Sequence, residues 1–464
     1  MPFQSHSCRR IAMEAVGFLG TSIAFGQSSI ASYNGLHAIV GAKIFIGDGR
    51  VIEKGTLVLR NGLIESVGPD TAVPRGAEVF DGKGLIVYPG FIDSFTNKGF
   101  VASSPGTRPT IADQNADNPS YASAFMRESN RVGIRPEVQA SQGVGFTDDI
   151  LKGYQGSGFT TVLLAPTGGD LSGMAALVNL SGRPPRESIV SAQVGEVIGF
   201  SGPGGDPYPS SLMGHIAQVR QALYDANWLT SLQKSFAAGG NVRPPADDSL
   251  SALQPMLSGR IPALIDGDTS AQISRALNLS HEFGLRPWIV GGTEAWKKVT
   301  DIKAGAIPLL LSLPFTAEPD APKAGSTDPA DNPSKYAERK RIYDEGVKNV
   351  SVLATEGVPF ALTTKGTSST SAFLDNLRKA IKVGLSKETA LKALTSGAAK
   401  ILGVDRLLGT IEPGKVANVF VATTEFTDPK MAVKMLYIDG RKIDPGAPKP
   451  QPTFRPQFNQ EGGN

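Results

Sequence analysis

Few residues of this 464-residue chain are suited to nucleophilic or metal chemistry. It carries four histidines, His6, His37, His215 and His281, and one cysteine, Cys8. No His-x-His occurs, and a lone cysteine rules out both a disulfide framework and a multi-cysteine metal site. Serines are plentiful, but no Gly-x-Ser-x-Gly is present, so a serine-hydrolase reading is weak. His215 borders the apolar stripe Leu212, Ile216, Val219, and His281 continues the Ile273, Leu277 face towards a helix end. Both read as structural. Gly168-Gly169-Asp170-Leu171-Ser172-Gly173 follows the apolar run Thr160–Leu164 and reads as a strand-to-helix loop. Gly168, Gly169, Ser172 and Gly173 are therefore a candidate ligand loop, since backbone amides at such a place can cradle an anion. The segment matches neither the P-loop nor the dinucleotide fingerprint, and a tight turn needing positive φ is the plainer reading.

The elements that would carry these residues change along the chain. From His37 to Asp81 short β-rich runs alternate with turn signals, among them Gly47-Asp48-Gly49 and Asn61-Gly62. Asn-Gly is the pair a type I′ hairpin turn favours, because both central positions need φ > 0. From Leu85 compact apolar runs alternate with helical periodicity. The runs are Leu85–Tyr88, Thr160–Leu164, Pro262–Ile265, Pro287–Val290, Ile307–Leu311 and Val358–Leu362. Such runs suit parallel strands buried on both faces, and the alternation predicts a parallel α/β fold. Ile411–Lys415, Val419–Val421 and Met435–Ile438 return to turn and strand, so the two β segments predict one composite domain built from both ends. The loops 101–120, 202–210, 241–249 and 314–336 are long and rich in Pro, Gly and Asp, a pattern of functional or disordered segments.

Composition narrows the classes. Hydrophobic residues make up 40% and charged residues 19%, an ordinary globular balance. A formal net charge of +3, with no basic stretch interleaved with aromatics, gives nucleic acid no electrostatic footprint. Arg9 and Arg10 precede the mostly apolar run Ala15–Phe25, too short for a membrane span and suited to a signal peptide over 1–27. Initiation at Met13 would remove both arginines. An exported protein, periplasmic or extracellular, is expected, without a membrane span.

At Tyr88-Pro89-Gly90-Phe91-Ile92-Asp93 the chain resembles the amidohydrolase superfamily, in particular its imidazolonepropionase-like branch. The resemblance takes in Gly47-Asp48-Gly49, Asn61–Ile64, Leu391–Gly403 and Gly409–Asn418, where the family usually ends in Asp rather than Asn418. It spans roughly residues 37 to 442. It implies a (β/α)8 TIM barrel with a composite β-sandwich: β parts at 28–84 and 406–444, the barrel over 85–405, and a disordered tail over 445–464. It also implies zinc or another divalent metal at the C-terminal ends of the strands, activating a water for attack on a C–N bond. The family's ligands are a His-x-His after strand one, His residues on strands five and six, and an Asp on the last strand.

Carried over position by position, those sites are vestigial. Phe95 and Asn97 stand at the His-x-His, Asp266 at the fifth-strand His with Asp268 beside it, Gly291 at the sixth-strand His, and Lys365 at the Asp. Phe has no lone pair to donate, Gly has no side chain, and an ammonium repels a cation. Two carboxylates alone are a poor zinc set. No catalytic residue can be assigned, and no cofactor is expected. The residues favour a pseudoenzyme that binds a small molecule or a catalytically intact homologue, and oligomerisation is expected. The alternative is an active C–N hydrolase with a ligand set around Asp266 and Asp268. Lys365 is expected either to pair with Asp266 or Asp268 in the place of the metal or to point into solvent.

Overall fold

A computed structural model describes residues 35–101, 133–201, 209–322 and 332–445. The expected leader, most of the 101–120 and 202–210 loops, and the tail beyond Pro445 lie outside the described residues. Two eight-stranded sheets carry the fold. The first contains β1 (Leu36–Phe45), β2 (Val51–Arg60), β3 (Leu63–Gly68), β4 (Glu78–Asp81) and β5 (Ile86–Pro89). It is completed by β14 (Val419–Ala422), β15 (Val433–Ile438) and β16 (Arg441–Ile443). Its order, β16-β15-β14-β5-β1-β2-β3 with β4 on β1, joins the two ends of the chain through the antiparallel β5–β14 pair. The composite β domain is thus as expected. Asn61 and Gly62 take φ of 52° and 86°, the doubly positive pattern of a type I′ turn between β2 and β3.

One strand assignment needs correction. The run Leu85–Tyr88, expected to open the parallel sheet, instead forms β5 of the first sheet. The second sheet begins only at β6 (Phe91–Thr96). Gly90 separates them because a Cβ there would lie 2.0 Å from Thr160 Oγ1. Only glycine lets the chain pass that close, which gives the Pro-Gly-Phe signature a packing reason. Across the junction Tyr88 stacks on Phe420 (ring centroids 5.3 Å apart) and Phe91 meets Phe420 edge to face (4.8 Å).

The second sheet runs in chain order through β6, β7 (Phe159–Leu164), β8 (Leu171–Asn179), β9 (Ile189–Ile198), β10 (Ala263–Gly267), β11 (Pro287–Gly291), β12 (Leu309–Ser312) and β13 (Phe360–Thr363). Parallel pairing holds except at β8, which is antiparallel to both neighbours. The strictly parallel expectation is therefore wrong at the third strand. No helix separates β7 from β8: the chain turns straight back through 165–170. Its first and last strands meet: Ser94 Oγ donates to Leu362 O (2.7 Å) and Thr363 Oγ1 donates to Phe95 O. Helices follow most later strands, among them Ser270–Phe283 after β10 and Thr370–Lys382 after β13. Among the described residues no helix is long and apolar enough to cross a membrane.

Candidate functional site

The C-terminal ends of β6, β7, β9, β10, β11 and β13 surround a cavity of about 280 Å³. Its floor is apolar: Phe95, Val197, Leu264 and Val290 line it, and Phe95 is only 4% exposed. Phe95 and Asn97 thus stand where the resemblance places them. Asn97 Nδ2 donates to Thr167 Oγ1 at 3.0 Å, so its amide is already engaged by the turn after β7.

On the other wall the ends of three strands meet. β10 runs out through Asp266 and Gly267 to Asp268, whose backbone is fixed on both sides. Asp268 N donates to Gln272 Oε1 (3.0 Å), and Asp268 O accepts from Glu294 N (2.9 Å) and Thr293 Oγ1 (3.0 Å). Gln272 is free to do this because Thr269 and Gln272 form a capping box at the start of Ser270–Phe283. β13 ends at Thr363 and runs out through Thr364 to Lys365, where Lys365 N donates to Thr363 Oγ1 (3.0 Å) and Gly366 turns the chain at φ 77°. This frame puts Lys365 Nζ against Asp266 Oδ1 and 3.3 Å from Asp268 Oδ2. Of the two expected placements of Lys365, the paired one holds.

The third strand end makes room for that pair. Gly291 has φ 106°, and a Cβ built there would fall 2.1 Å from Asp268 Oδ1 and 3.2 Å from Lys365 Nζ. The space a sixth-strand side chain would enter is filled by the ion pair. Asp268 Oδ1 is itself buried without a hydrogen-bond partner. Burial pushes the Asp268 carboxyl up, with the Lys365 ammonium opposing and Asp266 adding to the rise. Burial alone would pull the Lys365 amine down, but the two carboxylates outweigh it and hold it above its ordinary value. Lys365 stays an ammonium at neutral pH.

The donor set does not fit a catalytic metal. Phe95 and Gly291 supply no atom, Lys365 brings positive charge, and Asp266 and Asp268 are taken by it. No group of three or more His, Cys, Asp or Glu placed to hold a metal ion occurs among the described residues.

The candidate glycine loop also reaches the cavity. Gly168, Gly169 and Ser172 line it, but no helix follows, so the anion cradle lacks the helix dipole that the loop reading supposed. Ser172 Oγ is spent on Gly169, accepting from its N–H and donating to its carbonyl (both 3.1 Å). Gly173 lies within β8 at φ 120°, where a Cβ would meet Val138 O at 2.3 Å; its role is packing. His215 lies 2.8 Å from buried Asp170 through Nδ1, pinning the helix Leu212–Ala237 to the β7–β8 turn, a structural role as expected. His281 is exposed in the last turn of its helix rather than packed.

Sequence reasoning missed two further groups. Asp93, wholly buried, accepts from Tyr154 Oη (3.0 Å) and Thr364 N (3.0 Å), tying β6 to the residue just past β13. Its carboxyl is pushed up by burial, against the hydrogen bonds that oppose the shift. Lys98 lines the cavity, with Nζ held by the carbonyls of Thr367 (3.3 Å) and Ser368 (3.5 Å). Asp93 closes the Pro-Gly-Phe-Ile-Asp signature, but its partners, like those of Lys98, lie across contacts of up to about 270 residues that no local pattern shows.

The amidohydrolase family matches residues 324–443 of the chain. An imidazolonepropionase from Solibacter usitatus (strain Ellin6076) is 31% identical over 136 residues, which are 26% of this chain and 30% of that protein. An N-acyl-D-aspartate deacylase from Alcaligenes xylosoxydans xylosoxydans is 37% identical over 75 residues, 16% of this chain and 15% of that protein. The chain thus matches less than a third of the length of these curated relatives. A crystal structure of an amidohydrolase from Thermotoga maritima MSB8 superposes with a TM-score of 0.69 at 24% identity, covering 88% of this chain and 99% of that one. At that identity the likeness speaks for the fold. Over residues 324–443 the chain is thus similar to the amidohydrolase family, and its fold is similar to that of an amidohydrolase.

Proposed function

We propose that this chain is a superfamily member that has given up metal-dependent hydrolysis and uses the cavity at its strand ends to bind a small molecule. In this reading the second sheet closes as a TIM-type barrel with one reversed strand, and the cavity is its mouth. The observation that carries the proposal is the Lys365 ammonium seated between Asp266 and Asp268, in the space left by Gly291. A cation of the protein's own occupies the place where the family's chemistry needs a metal, and an apolar floor replaces its ligands. With Phe95 and Gly291 offering no donor and Lys365 holding the carboxylates, the site would lack the ligands needed to hold a metal that lowers the pKa of a bound water.

Elemental analysis of the dialysed protein is the test. Less than a tenth of an equivalent of zinc, manganese or iron is expected on the order-of-magnitude view that two half-exposed carboxylates bind divalent metals weakly. One zinc per chain that survives dialysis and is lost in Asp266→Asn would overturn the proposal in favour of an active C–N hydrolase.

A further inference from the structure

Only three charged side chains line the cavity among the described residues: Lys98, Asp266 and Lys365. Lys365 is committed to Asp266 and Asp268, and two carboxylates against one ammonium leave a formal excess of one negative charge on that wall. Lys365 takes Asp266 Oδ1, and Oδ2 has no partner among the described residues. Lys98 stands on the β6 side with no carboxylate paired to it among the described residues. Its ammonium gives two N–H groups to the Thr367 and Ser368 carbonyls, which leaves one of its three donors. Asn97 beside it has used one amide hydrogen on Thr167 and keeps the other. Between these ends lies the floor of Phe95, Leu264 and Val290.

From this layout we infer that the cavity takes a small zwitterion: a carboxylate on Lys98 and Asn97, an ammonium on Asp266, and a short apolar body on the floor between them. The inference rests on the reading of the cavity as a ligand site and adds the class of ligand. A volume of about 280 Å³ falls just below the ~300–1,000 Å³ of drug-sized pockets, which limits the ligand to roughly amino-acid size. A dicarboxylate would set an anion against Asp266, and a diamine would set a cation against Lys98. Each mismatch costs a desolvated, repelled charge.

Calorimetric titration of the full chain with matched five-carbon probes tests this. L-norvaline and 5-aminovalerate are the zwitterions, with short and long charge separation; pentanoate and pentylamine carry one charge each, and pentanamide none. At least one zwitterion should bind about tenfold more tightly than either singly charged probe, the gain expected of one charge-assisted hydrogen bond. Lys98→Met should reduce that zwitterion to the level of pentylamine, Lys98→Arg should keep most of its affinity, and Asp266→Asn should reduce it to the level of pentanoate. Equal binding of zwitterions and singly charged probes, or zwitterion binding indifferent to Lys98→Met, would overturn the assignment. Should pentanamide bind as well as the zwitterions, the cavity would remain a ligand site and only the charge assignment would fall. No binding by any probe into the millimolar range would overturn both.

Discussion

Replacing Lys365 with Met tests whether the ammonium holds the strand ends together. At 3.3 Å from Asp268 Oδ2, the Coulomb attraction is roughly 5 kcal/mol at an effective dielectric near 20, before any desolvation cost. The side chains are not deeply buried: Lys365 is 25% exposed, Asp266 47% and Asp268 39%. Water therefore screens the pair, and the net value belongs between the ~0–1 kcal/mol of surface pairs and the ~3–5 kcal/mol lost when a buried pair is broken. Lys365→Met should cost about 1–2 kcal/mol, read as the shift of a urea unfolding midpoint at constant slope. Adding Asp266→Asn should recover part of the loss, with a coupling of about 1 kcal/mol in the double-mutant cycle. The pH dependence has a definite sign. The folded pKa of Lys365 is raised above 10.5, so its contribution is fully present below the unfolded value and is lost as pH rises through the folded one. The parent and Lys365→Met should therefore differ by a constant amount through neutral pH and converge in strong alkali. A Met variant as stable as the parent, with zero coupling to Asp266, would show a solvated lysine and refute the substitution of ammonium for metal.

Tyr154→Phe removes one donor to wholly buried Asp93 and should cost about 1–2 kcal/mol in chemical denaturation; an unchanged midpoint would mean that water replaces the hydroxyl. Gly291→Ala forces a side chain into φ 106° and against Asp268 Oδ1, so a loss of about 2–4 kcal/mol is expected, and Asp268→Ala in the same chain should relieve only the clash, not the backbone strain. Asp439, whose carboxyl burial pushes up to about 6 from 3.8, should make the protein lose stability as pH rises between those values, by up to roughly 3 kcal/mol. Asp439→Asn should abolish that slope and melt higher than the parent at pH ~7 but not at pH ~4, below most of the shifted range; a slope that persists in the variant would assign it elsewhere.

The sequence was legible where one local rule decides the outcome. Asn61-Gly62 fixes its own turn, and the runs at 160–164, 262–265, 287–290, 307–311 and 358–362 are too apolar and too short for anything but buried strands. Position-by-position reading also brought Asp266, Asp268 and Lys365 to one place, because neighbouring parallel strands end on the same side of the sheet. Legibility failed where context decides. β8 and β9 were not foreseen: Leu171–Asn179 is broken by Gly173 and carries two alanines, and Ile189–Ile198 holds Ser, Gln, Gly and Glu, none of them strand formers. With β8 unseen, the turn before it was read as leading to a helix. The run at 86–89 looks like a parallel strand because it too is buried; its pairing with β14, some 330 residues later, leaves no local trace. Asn418 departs from the usual Asp for a reason visible only in space. Its amide donates to Asn179 Oδ1 (3.0 Å) while its carbonyl accepts from Asp439 N (2.8 Å), and a carboxylate could not do the first.

Under the proposed loss of hydrolysis, the residues at the strand ends are mutually dependent, which bears on how that loss would persist. Restoring a histidine at Gly291 would drive its Cβ into Asp268 Oδ1, so it requires Asp268 to move first. Restoring an aspartate at Lys365 would leave Asp266, Asp268 and the new carboxylate facing one another without a cation, a repulsion that only an already competent metal site could offset. Restoring histidine at Phe95 places a polar ring on a floor whose neighbours are Val197, Leu264 and Val290, with no partner for its nitrogens until the other ligands return. Each single reversal is thus destabilising before it is useful, and only a concerted exchange of at least Phe95, Gly291, Lys365 and Asp268 would rebuild a donor set. A chain in that position can still refine the cavity as a binding site by substitutions at Lys98 and Asn97, which take no part in the ion pair.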